Sequence, residues 1–261
     1  LCKVLTVTEV AKHFGINWKT VKTIDKFFLE RQYAQTDYQN LRILAVDEIS
    51  VKKGHRYLTV VLDYLSGRVV WVGKERTKET LGTFFAGMTQ EQRQKLEAIA
   101  MDMWDPYIHA VKKHVPHVKI VFDLFHVVSS FGKVIDKVRN AEYHKASKKD
   151  KDVIKGSKYL LLKNKRNIRR KKHREHLKQL LSLNETINTV LILKDKLKHL
   201  WTYTSRTWAR KAIDEWSHLA KTVNHSVVHK FANMLTKYSY GILNHCDYKI
   251  HTSKLEGVNN K

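Results

Sequence analysis

The chain has 261 residues, 43% of them hydrophobic, which is enough to build a folded core and argues against intrinsic disorder. Lys and Arg number 49 against 25 acidic residues, and the formal net charge of +24 predicts a polyanionic partner, with nucleic acid ahead of an anionic membrane surface. No apolar run reaches the ~18 residues of a membrane-spanning helix and no signal peptide is recognised, so we expect a cytoplasmic protein that does not enter a membrane.

Residues 1–38 are predicted to form a helix-turn-helix followed by a linker. Thr6 and Glu9 have the spacing of a capping box, which begins a helix, and Gly15 ends that helix. The apolar stripes of the two helices would be Val7, Val10, Ala11 and Phe14 on the first and Ile16, Val21 and Ile24 on the second.

The second of these helices would begin where a recognition helix reaches base edges and phosphates. Its candidate DNA-binding residues are Asn17, Trp18, Lys19 and Thr20. A small helical hairpin without a role in DNA binding is the alternative, and the net charge favours DNA binding.

Residues 39–144 predict strands alternating with helices. Three segments of strand length are rich in Val, Ile, Leu and aromatic residues: RILAVDEISV, YLTVVLDYL and RVVWVG. A helix is expected from Thr77 to about Gln94, then the strand KLEAIAMD, a helix beginning at Asp105-Pro106, the strand VKIVFD and a helix from Leu124. Three hairpin strands followed by alternating helices and strands are typical of an α/β, RNase H-like mixed sheet, here the first part of a catalytic core.

Residues 145–250 are expected to be helical, since the only two prolines, Pro106 and Pro116, precede them. Residues 145–178 carry 15 Lys or Arg against Asp150, Asp152 and Glu175. This run is either a solvated helix surface or a face that follows DNA phosphates, which we favour because balancing acids are nearly absent. The candidate phosphate contacts are Lys165, Arg166, Arg169, Arg170, Lys171 and Lys172. Further on, three tryptophans recur at helical spacing and predict the buried side of a helix: Trp201, Trp208 and Trp216.

Asp47 and Asp102 each follow apolar strand residues, where an ionised side chain is costly unless it is paired or binds a metal. Asp47 would share a strand face with Ala45, whereas Glu48 points to the opposite face. The structural alternatives are an ion pair of Asp47 with Lys52 or Lys53, or a position at the exposed end of the strand.

Asp105 has a ready structural explanation, because it precedes Pro106 and is predicted to be the N-cap of a helix. That leaves Asp102, three residues earlier, as the candidate site residue. Two other acids have structural alternatives: Glu256 belongs to a second capping box that starts at Ser253, and Asp123 can cap the helix that carries His126.

Three gathered carboxylates would suit phosphodiester cleavage, which needs an activated water and a stabilised leaving oxygen. Two Mg²⁺ ions about 3.5–4 Å apart supply both, and Mg²⁺ (or Mn²⁺) prefers carboxylate oxygens. The two cysteines, Cys2 and Cys246, cannot complete a four-ligand metal site alone, and their small number fits a reducing compartment. In this scheme Asp47 bridges two ions, and Asp102 and Glu256 hold one each.

Four motifs together make the chain resemble bacterial insertion-sequence transposases of the ISL-three family, a branch of the DDE transposases. They are VDEIS around Asp47, MDMWDPY around Asp102, FDLFHVV around Asp123 and His126, and LEGVNNK around Glu256. The resemblance implies that Asp47, Asp102 and Glu256 are the catalytic triad and the metal ligands. Asp123 and His126 are similar to the (C/D)xxH element of such enzymes and would support the triad.

The resemblance also implies that residues 145–250 are an all-helical insertion within the catalytic fold. Residues 251–261 would then begin the returning catalytic helix that carries Glu256. Because the first residue is not Met and the last segment stops inside a predicted helix, we expect the sequence to be truncated at both ends.

The expected function is a DNA transposase that cleaves insertion-sequence ends and transfers the freed 3′-hydroxyl strand to target DNA. Its partners would be double-stranded DNA, as terminal inverted repeats and as target, and further copies of the chain in a homodimer or higher oligomer. A catalytically inactive or truncated DNA-binding protein derived from a transposase is the alternative. An RNase H-like nuclease acting on RNA or junctions is a third interpretation, which a strand-joining assay would separate.

Overall fold

The computed structural model describes residues 1–33, 37–52 and 56–252. The chain divides into two units, Leu1–Asn40 and Leu41–Lys261. In the described part of the chain, no helix combines the length and the apolar character that crossing a bilayer requires.

The first unit contains helix α1 (Val7–Phe14) and helix α2 (Trp18–Tyr33), which pack as a hairpin. The Glu9 backbone N–H donates to the Thr6 hydroxyl at 3.2 Å and the Thr6 N–H donates to the Glu9 carboxylate at 2.8 Å, which confirms the predicted capping box. Gly15 ends α1 in the left-handed region, with φ of +62°.

The predicted apolar stripes of this hairpin are only partly correct. Val10, Ala11 and Val21 form its buried centre, with Val7 packed against them. The prediction is wrong for Phe14, Ile16 and Ile24, which are 57%, 41% and 47% exposed. Two packed helices bury one line of contact, and apolar side chains beside that line stay in solvent.

Five strands form one mixed sheet in the second unit, in the order β3-β2-β1-β4-β5. Strands β1, β2 and β3 are the predicted antiparallel meander. Strand β4 pairs parallel to β1, and β5 pairs parallel to β4. The strands are β1 (Ile43–Lys52), β2 (Arg56–Asp63), β3 (Val69–Lys74), β4 (Ala98–Met101) and β5 (Lys119–Phe122). Strands β4 and β5 lie within the predicted segments, and β1, β2 and β3 each extend one residue beyond theirs, so the mixed α/β class is confirmed.

Four helices lie between or after these strands: α3 (Lys78–Ala86), α4 (Gln90–Gln94), α5 (Asp105–His114) and α6 (Leu124–Lys145). The single helix predicted over residues 77–94 is wrong. The chain leaves α3 at Gly87, and Thr89 begins α4 with its own capping box to Gln92.

The prediction of Asp105 as an N-cap is also wrong. Asp105 is the first residue of α5, and Trp104 precedes it as the cap without a side-chain hydrogen bond. The Asp105 carboxylate instead accepts a hydrogen bond from the Tyr238 hydroxyl at 2.6 Å and lies 3.4 Å from the Lys237 ammonium. A long-range partner therefore replaces the local cap, and Asp105 keeps a structural role.

The remainder of the described chain, to residue 252, is helical. Its α-helices are α7 (Lys148–Ile154), α8 (Lys158–Leu162), α9 (Lys171–Leu183), α10 (Glu185–His199), α11 (Arg206–Thr222), α12 (Ser226–Lys237) and α13 (Ser239–Leu243). Short 3₁₀ turns occur at Lys165–Asn167, Leu200–Thr202 and Asn244–Cys246.

Helix α6 supplies the centre of the helical core. Phe131 on α6 packs against Trp216 of α11 and Phe231 of α12, with ring centroids 5.4 and 4.8 Å apart. Five apolar residues at helical spacing in the sequence predict one buried side of α6, and all five are buried in this core: Val127, Phe131, Val134, Ile135 and Val138.

The tryptophan prediction is correct for two of the three residues. Trp216 is buried and its indole N–H donates to the Leu193 carbonyl at 2.7 Å. Trp201 is buried in a 3₁₀ turn rather than in the same helix, and its indole N–H donates to the Phe122 carbonyl at 3.2 Å. The prediction is wrong for Trp208, which is 60% exposed near the start of α11, with the Lys211 ammonium 5.4 Å from its ring centroid.

The helical core is joined closely to the last strand of the sheet. At Gly241 on α13, an added Cβ would lie 2.3 Å from the Phe122 ring at the end of β5. A glycine is needed there because no other residue permits so close an approach. The carboxyl end of β5 is thus held between the sheet and the helices.

Candidate active site

Three aspartates follow one row of residues across the three parallel strands. Ala45 on β1 pairs with Ala100 on β4, and Ala100 pairs with Val121 on β5. All three side chains belong to the same buried cluster on one face of the sheet. Asp47, Asp102 and Asp123 each come two residues later along their strands. Strand alternation therefore gives the carboxylates equivalent positions on neighbouring strands, which are about 4.8 Å apart.

Asp47 lies within β1 opposite Val60 of β2 and is only 9% exposed. One carboxylate oxygen accepts a hydrogen bond from the Glu48 backbone N–H at 2.9 Å. The alternative prediction, an ion pair of Asp47 with Lys52 or Lys53, stays a prediction because those two side chains lie outside the described part of the chain. A carboxylate at this depth on an apolar face is costly in its ionised form unless a partner or a cation compensates it.

Asp102 follows the last residue of β4 and its side chain is 33% exposed. Its Oδ1 accepts a hydrogen bond from the Met103 N–H at 2.6 Å, and its Oδ2 lies 3.8 Å from His126 Nδ1. The His126 Nε2 atom is buried and has no hydrogen-bond partner among the described residues. The structure thus brings Asp102 and His126 together and leaves one ring nitrogen of His126 for another group.

Asp123 is buried, with 4% exposure, and acts as an anchor between two segments. Its Oδ1 accepts a hydrogen bond from the Phe125 N–H at 2.6 Å, which confirms that it caps α6. Its Oδ2 accepts hydrogen bonds from the backbone N–H of Thr252 and from the Thr252 hydroxyl, the latter at 2.9 Å. Asp123 therefore fixes the point at which the chain returns to the sheet after the helical region.

Glu256, the third member of the predicted triad, lies outside the described residues. Within the described ranges, no group of three or more His, Cys, Asp or Glu side chains is arranged to hold a metal ion. The donors available here are the carboxylates of Asp47, within β1, and of Asp102, directly after β4, which are the hard oxygen ligands that Mg²⁺ and Mn²⁺ prefer. Their chemistry fits a divalent cation that a further acidic residue would complete.

Arg76 joins the segments around Asp47 and Asp102, and the sequence motifs did not reveal it. Its guanidinium lies 3.0 Å from the Glu48 carboxylate, the residue after Asp47. The same group lies over the rings of Tyr57 and Trp104, at 4.3 and 4.6 Å from their centroids. The Arg76 carbonyl also accepts a hydrogen bond from the Trp104 indole N–H at 3.0 Å, two residues after Asp102.

The backbone before Arg76 is held in an uncommon conformation. Glu75 has φ of +69°, which a non-glycine residue seldom adopts. Two hydrogen bonds fix it: its N–H donates to the Tyr57 carbonyl at 2.7 Å, and its carbonyl accepts from the Thr59 hydroxyl at 2.6 Å. The Thr59 hydroxyl also contacts the Tyr107 hydroxyl at 2.7 Å, and burial raises the pKa of Tyr107 to about 12. Burial therefore keeps Tyr107 neutral, and the two hydrogen bonds of Glu75 fix the backbone that leads into Arg76.

The candidate DNA-binding residues at the start of α2 are all exposed. The Asn17 side-chain oxygen accepts a hydrogen bond from the Lys19 N–H at 2.8 Å, so Asn17 caps α2. Trp18 is 49% exposed and the Lys19 ammonium lies 5.9 Å from its ring centroid. Trp18, Lys19 and Thr20 therefore face solvent on the first turn of the helix.

The six basic candidates of the helical region lie between α8 and the first turn of α9, and all are exposed. Lys165 lies 3.2 Å from Asp195, and Lys171 lies 3.9 Å from Glu175. In the described part of the chain no acidic group lies within ion-pair distance of the other four, Arg166, Arg169, Arg170 and Lys172. Their charge is therefore available to an external anion.

Comparison with known proteins gives consistent matches. The ISL-three family model, described as "Transposase", matches residues 44–261. The transposase for insertion sequence element IS1001 of Bordetella parapertussis is 38% identical over 257 residues, covering 97% of this chain and 63% of that protein. The transposase for insertion sequence element IS1557 of Mycobacterium tuberculosis is 26% identical, covering 97% and 62%. The chain thus spans less than two thirds of the length of each of these relatives.

Proposed function

Because the chain belongs to the ISL-three family of DDE transposases, we propose that it contains the DNA-cleaving and strand-transferring core of an insertion-sequence transposase. The observation that carries the proposal is the row of acidic residues within β1 and directly after β4 and β5, each two positions beyond the aligned row of Ala45, Ala100 and Val121. Acidic side chains brought to one face of adjacent strands are suited to metal-dependent phosphodiester chemistry.

The sheet supports an RNase H-like core. An antiparallel β3-β2-β1 meander followed by parallel β4 and β5, with helices between, is the arrangement expected of that fold. Residues 39–144 would form its first part, residues 145–250 an all-helical insertion, and residues 251–261 the start of the returning helix.

Asp47, Asp102 and Glu256 would hold two divalent cations, with Asp47 shared between them. Bound there, the cations would supply an activated water and charge stabilisation of the leaving oxygen. Asp47 and Asp102 would present carboxylate oxygens from a rigid sheet, so that little reorganisation is needed on binding.

Asp123 would place the segment that carries Glu256. Thr252, which Asp123 holds, precedes Glu256 by four residues, and four residues span at most about 14 Å. Such a tether would keep Glu256 within about that distance of Thr252. His126, 3.8 Å from Asp102, would orient that carboxylate and offer its buried Nε2 to substrate or to a further ligand.

DNA would bind through two groups of residues. Asn17, Trp18, Lys19 and Thr20 would open a recognition helix in a helix-turn-helix covering residues 1–38. The exposed basic cluster would follow the phosphate backbone of the element ends or of the target. Since the matched relatives are bacterial transposases, the setting would be the bacterial cytoplasm at the nucleoid, with a homodimer or higher oligomer on DNA.

Strand cleavage by the full-length protein that contains this chain, called the full-length parent below, tests this proposal. The substrates are labelled duplexes that carry the terminal repeats of its own insertion sequence. Asp47→Ala and Asp102→Ala should each slow Mg²⁺-dependent cleavage by at least about a thousandfold, about 4 kcal/mol in barrier, with duplex affinity within about twofold. Asp105→Asn is the matched control, because Asp105 is close to Asp102 in sequence and bonds to Tyr238 instead.

Either triad variant cutting at the parental rate would contradict the assignment. A joined product from a pre-cut end and target DNA separates a transposase from a simple nuclease. Cleavage without joining would favour the nuclease.

A further inference from the structure

A groove runs along the exposed side of α6, beside the candidate active site. It consists of two adjoining cavities of about 770 and 650 Å³, which share Phe125, Val128 and Leu162 as common walls. The first cavity reaches Asp123 and Trp201, and the second extends towards Lys137. Because Phe125 directly precedes His126 on α6, the groove begins next to the Asp102–His126 pair.

Phe125 is conspicuous in this groove because its side chain is 59% exposed although it follows the buried cap Asp123. Its ring meets the His126 ring in an edge-to-face arrangement, with centroids 5.7 Å apart. At least one face of the Phe125 ring is therefore turned away from the histidine. An exposed aromatic ring offers a flat apolar surface on which a nucleobase can stack. The same cavity is lined by the carboxamide side chains of Asn164 and Asn167. The Asn164 oxygen accepts a hydrogen bond from the Lys198 ammonium, so its amide N–H groups and the carboxamide of Asn167 can hydrogen-bond to the edge of a base.

The rim of the groove is positively charged. Five lysines line the two cavities against two aspartates: Lys133, Lys137, Lys158, Lys163 and Lys198. Both aspartates are already engaged, since Asp136 pairs with Lys158 at 2.9 Å and Asp123 holds Thr252. The remaining charge is complementary to phosphates, and cavities of this size admit single nucleotides rather than a duplex.

We propose that this groove binds an unpaired nucleotide of a single DNA strand, with its base stacked on Phe125 and its phosphates against the lysine rim. The proposal rests on the proposed function, because a strand end separated from its complement is what a cleavage site must handle. It adds Phe125 as a binding residue for DNA that is not paired, distinct from the basic cluster that would follow duplex phosphates.

Fluorescence anisotropy of this chain with a labelled thymidine strand of about 12 nucleotides, and with a blunt duplex, tests the proposal. Phe125→Ala should weaken binding of the single strand by about 5- to 100-fold and change duplex binding by less than about twofold. Phe125→Trp should retain binding, since it keeps the stacking surface. Tyr159→Ala is the matched control, because Tyr159 is 72% exposed on nearby α8 and lines neither cavity.

A fully abasic strand of the same length makes the test specific for stacking, because no other base can then shift onto Phe125. Removing every base should weaken binding to the unsubstituted chain by at least the same factor, and should weaken binding to Phe125→Ala much less. Equal losses for strand and duplex, or an abasic strand that binds the parent chain unchanged, would overturn the proposal while leaving the proposed function intact. Absence of binding to either DNA at about 50 mM salt would overturn both. Thermal melting establishes that the variants are folded.

Discussion

Replacing Asp123 by alanine removes three hydrogen bonds at once, those from the Phe125 N–H, the Thr252 N–H and the Thr252 hydroxyl. Loss of the helix cap costs about 1 kcal/mol. Thr252 has 0% exposure, so its N–H and hydroxyl would be left buried without an acceptor, at about 1–3 kcal/mol each. We therefore expect the free energy of unfolding to fall by about 3–7 kcal/mol.

Urea unfolding followed by tryptophan fluorescence measures this loss, with unchanged slope m as the check that the native state is otherwise retained. Asp123→Asn keeps one acceptor oxygen and should lose about half as much. Asp150→Ala is a matched control, because Asp150 bonds only locally to Ser147 near the start of α7 and should cost less than about 1 kcal/mol.

A double-mutant cycle isolates the contact with the returning chain. Thr252→Val keeps the side-chain shape and removes the hydroxyl that donates to Asp123. Combined with Asp123→Ala, it should show a coupling energy of about 1–2 kcal/mol. Additivity within about 0.5 kcal/mol would refute the reasoning that Asp123 anchors the segment leading to Glu256.

Three further outcomes are expected. Arg76→Gln should reduce cleavage by the full-length parent more than about tenfold and weaken its Mn²⁺ affinity. Arg76→Lys should recover only part of both, since a lysine side chain cannot stack between Tyr57 and Trp104. Unchanged Mn²⁺ affinity in Arg76→Gln would contradict this role. Burial lowers the pKa of Lys194 to about 8. Between pH 8 and pH 10 the unfolded chain therefore keeps the Lys194 proton that the folded chain loses, and the free energy of unfolding rises with pH. Lys194→Met should remove about 2–3 kcal/mol of that rise, and an equal pH dependence in both proteins would refute the assignment. The last variant replaces four basic residues by alanine: Arg166, Arg169, Arg170 and Lys172. It should reduce the slope of log K against log salt for duplex binding by up to about 3.6, and an unchanged slope would exclude these residues as phosphate contacts.

Local sequence signals located most of the elements but not their partners. The segment RILAVDEISV predicted β1 because β-branched and aliphatic residues fill a strand length, and Thr6 with Glu9 predicted the start of α1 through a bond that spans three residues. Asp105 shows the limit: its position before Pro106 suggested a local cap, yet its carboxylate bonds to Tyr238, 133 residues away. Pairing over such distances depends on the packed fold, which local patterns do not encode.

The same distinction applies to the candidate site. Apolar strands ending in acids marked Asp47 and Asp102 in the sequence, but the register that aligns Ala45 with Ala100 and Val121 emerged only from the paired strands. Arg76 carried no motif, since its role depends on Glu48, Tyr57 and Trp104 meeting it from three separate segments. The assignment of Glu256 stays a prediction, because it lies outside the described residues.

The anomalous scattering of Mn²⁺ in crystals of the full-length parent would show which side chains bind the metal ions. We expect two peaks about 3.5–4 Å apart, with Asp47 contacting both and Asp102 and Glu256 each contacting one. Peaks that lie away from the carboxyl ends of β1 and β4, or a Glu256 side chain remote from both ions, would contradict it.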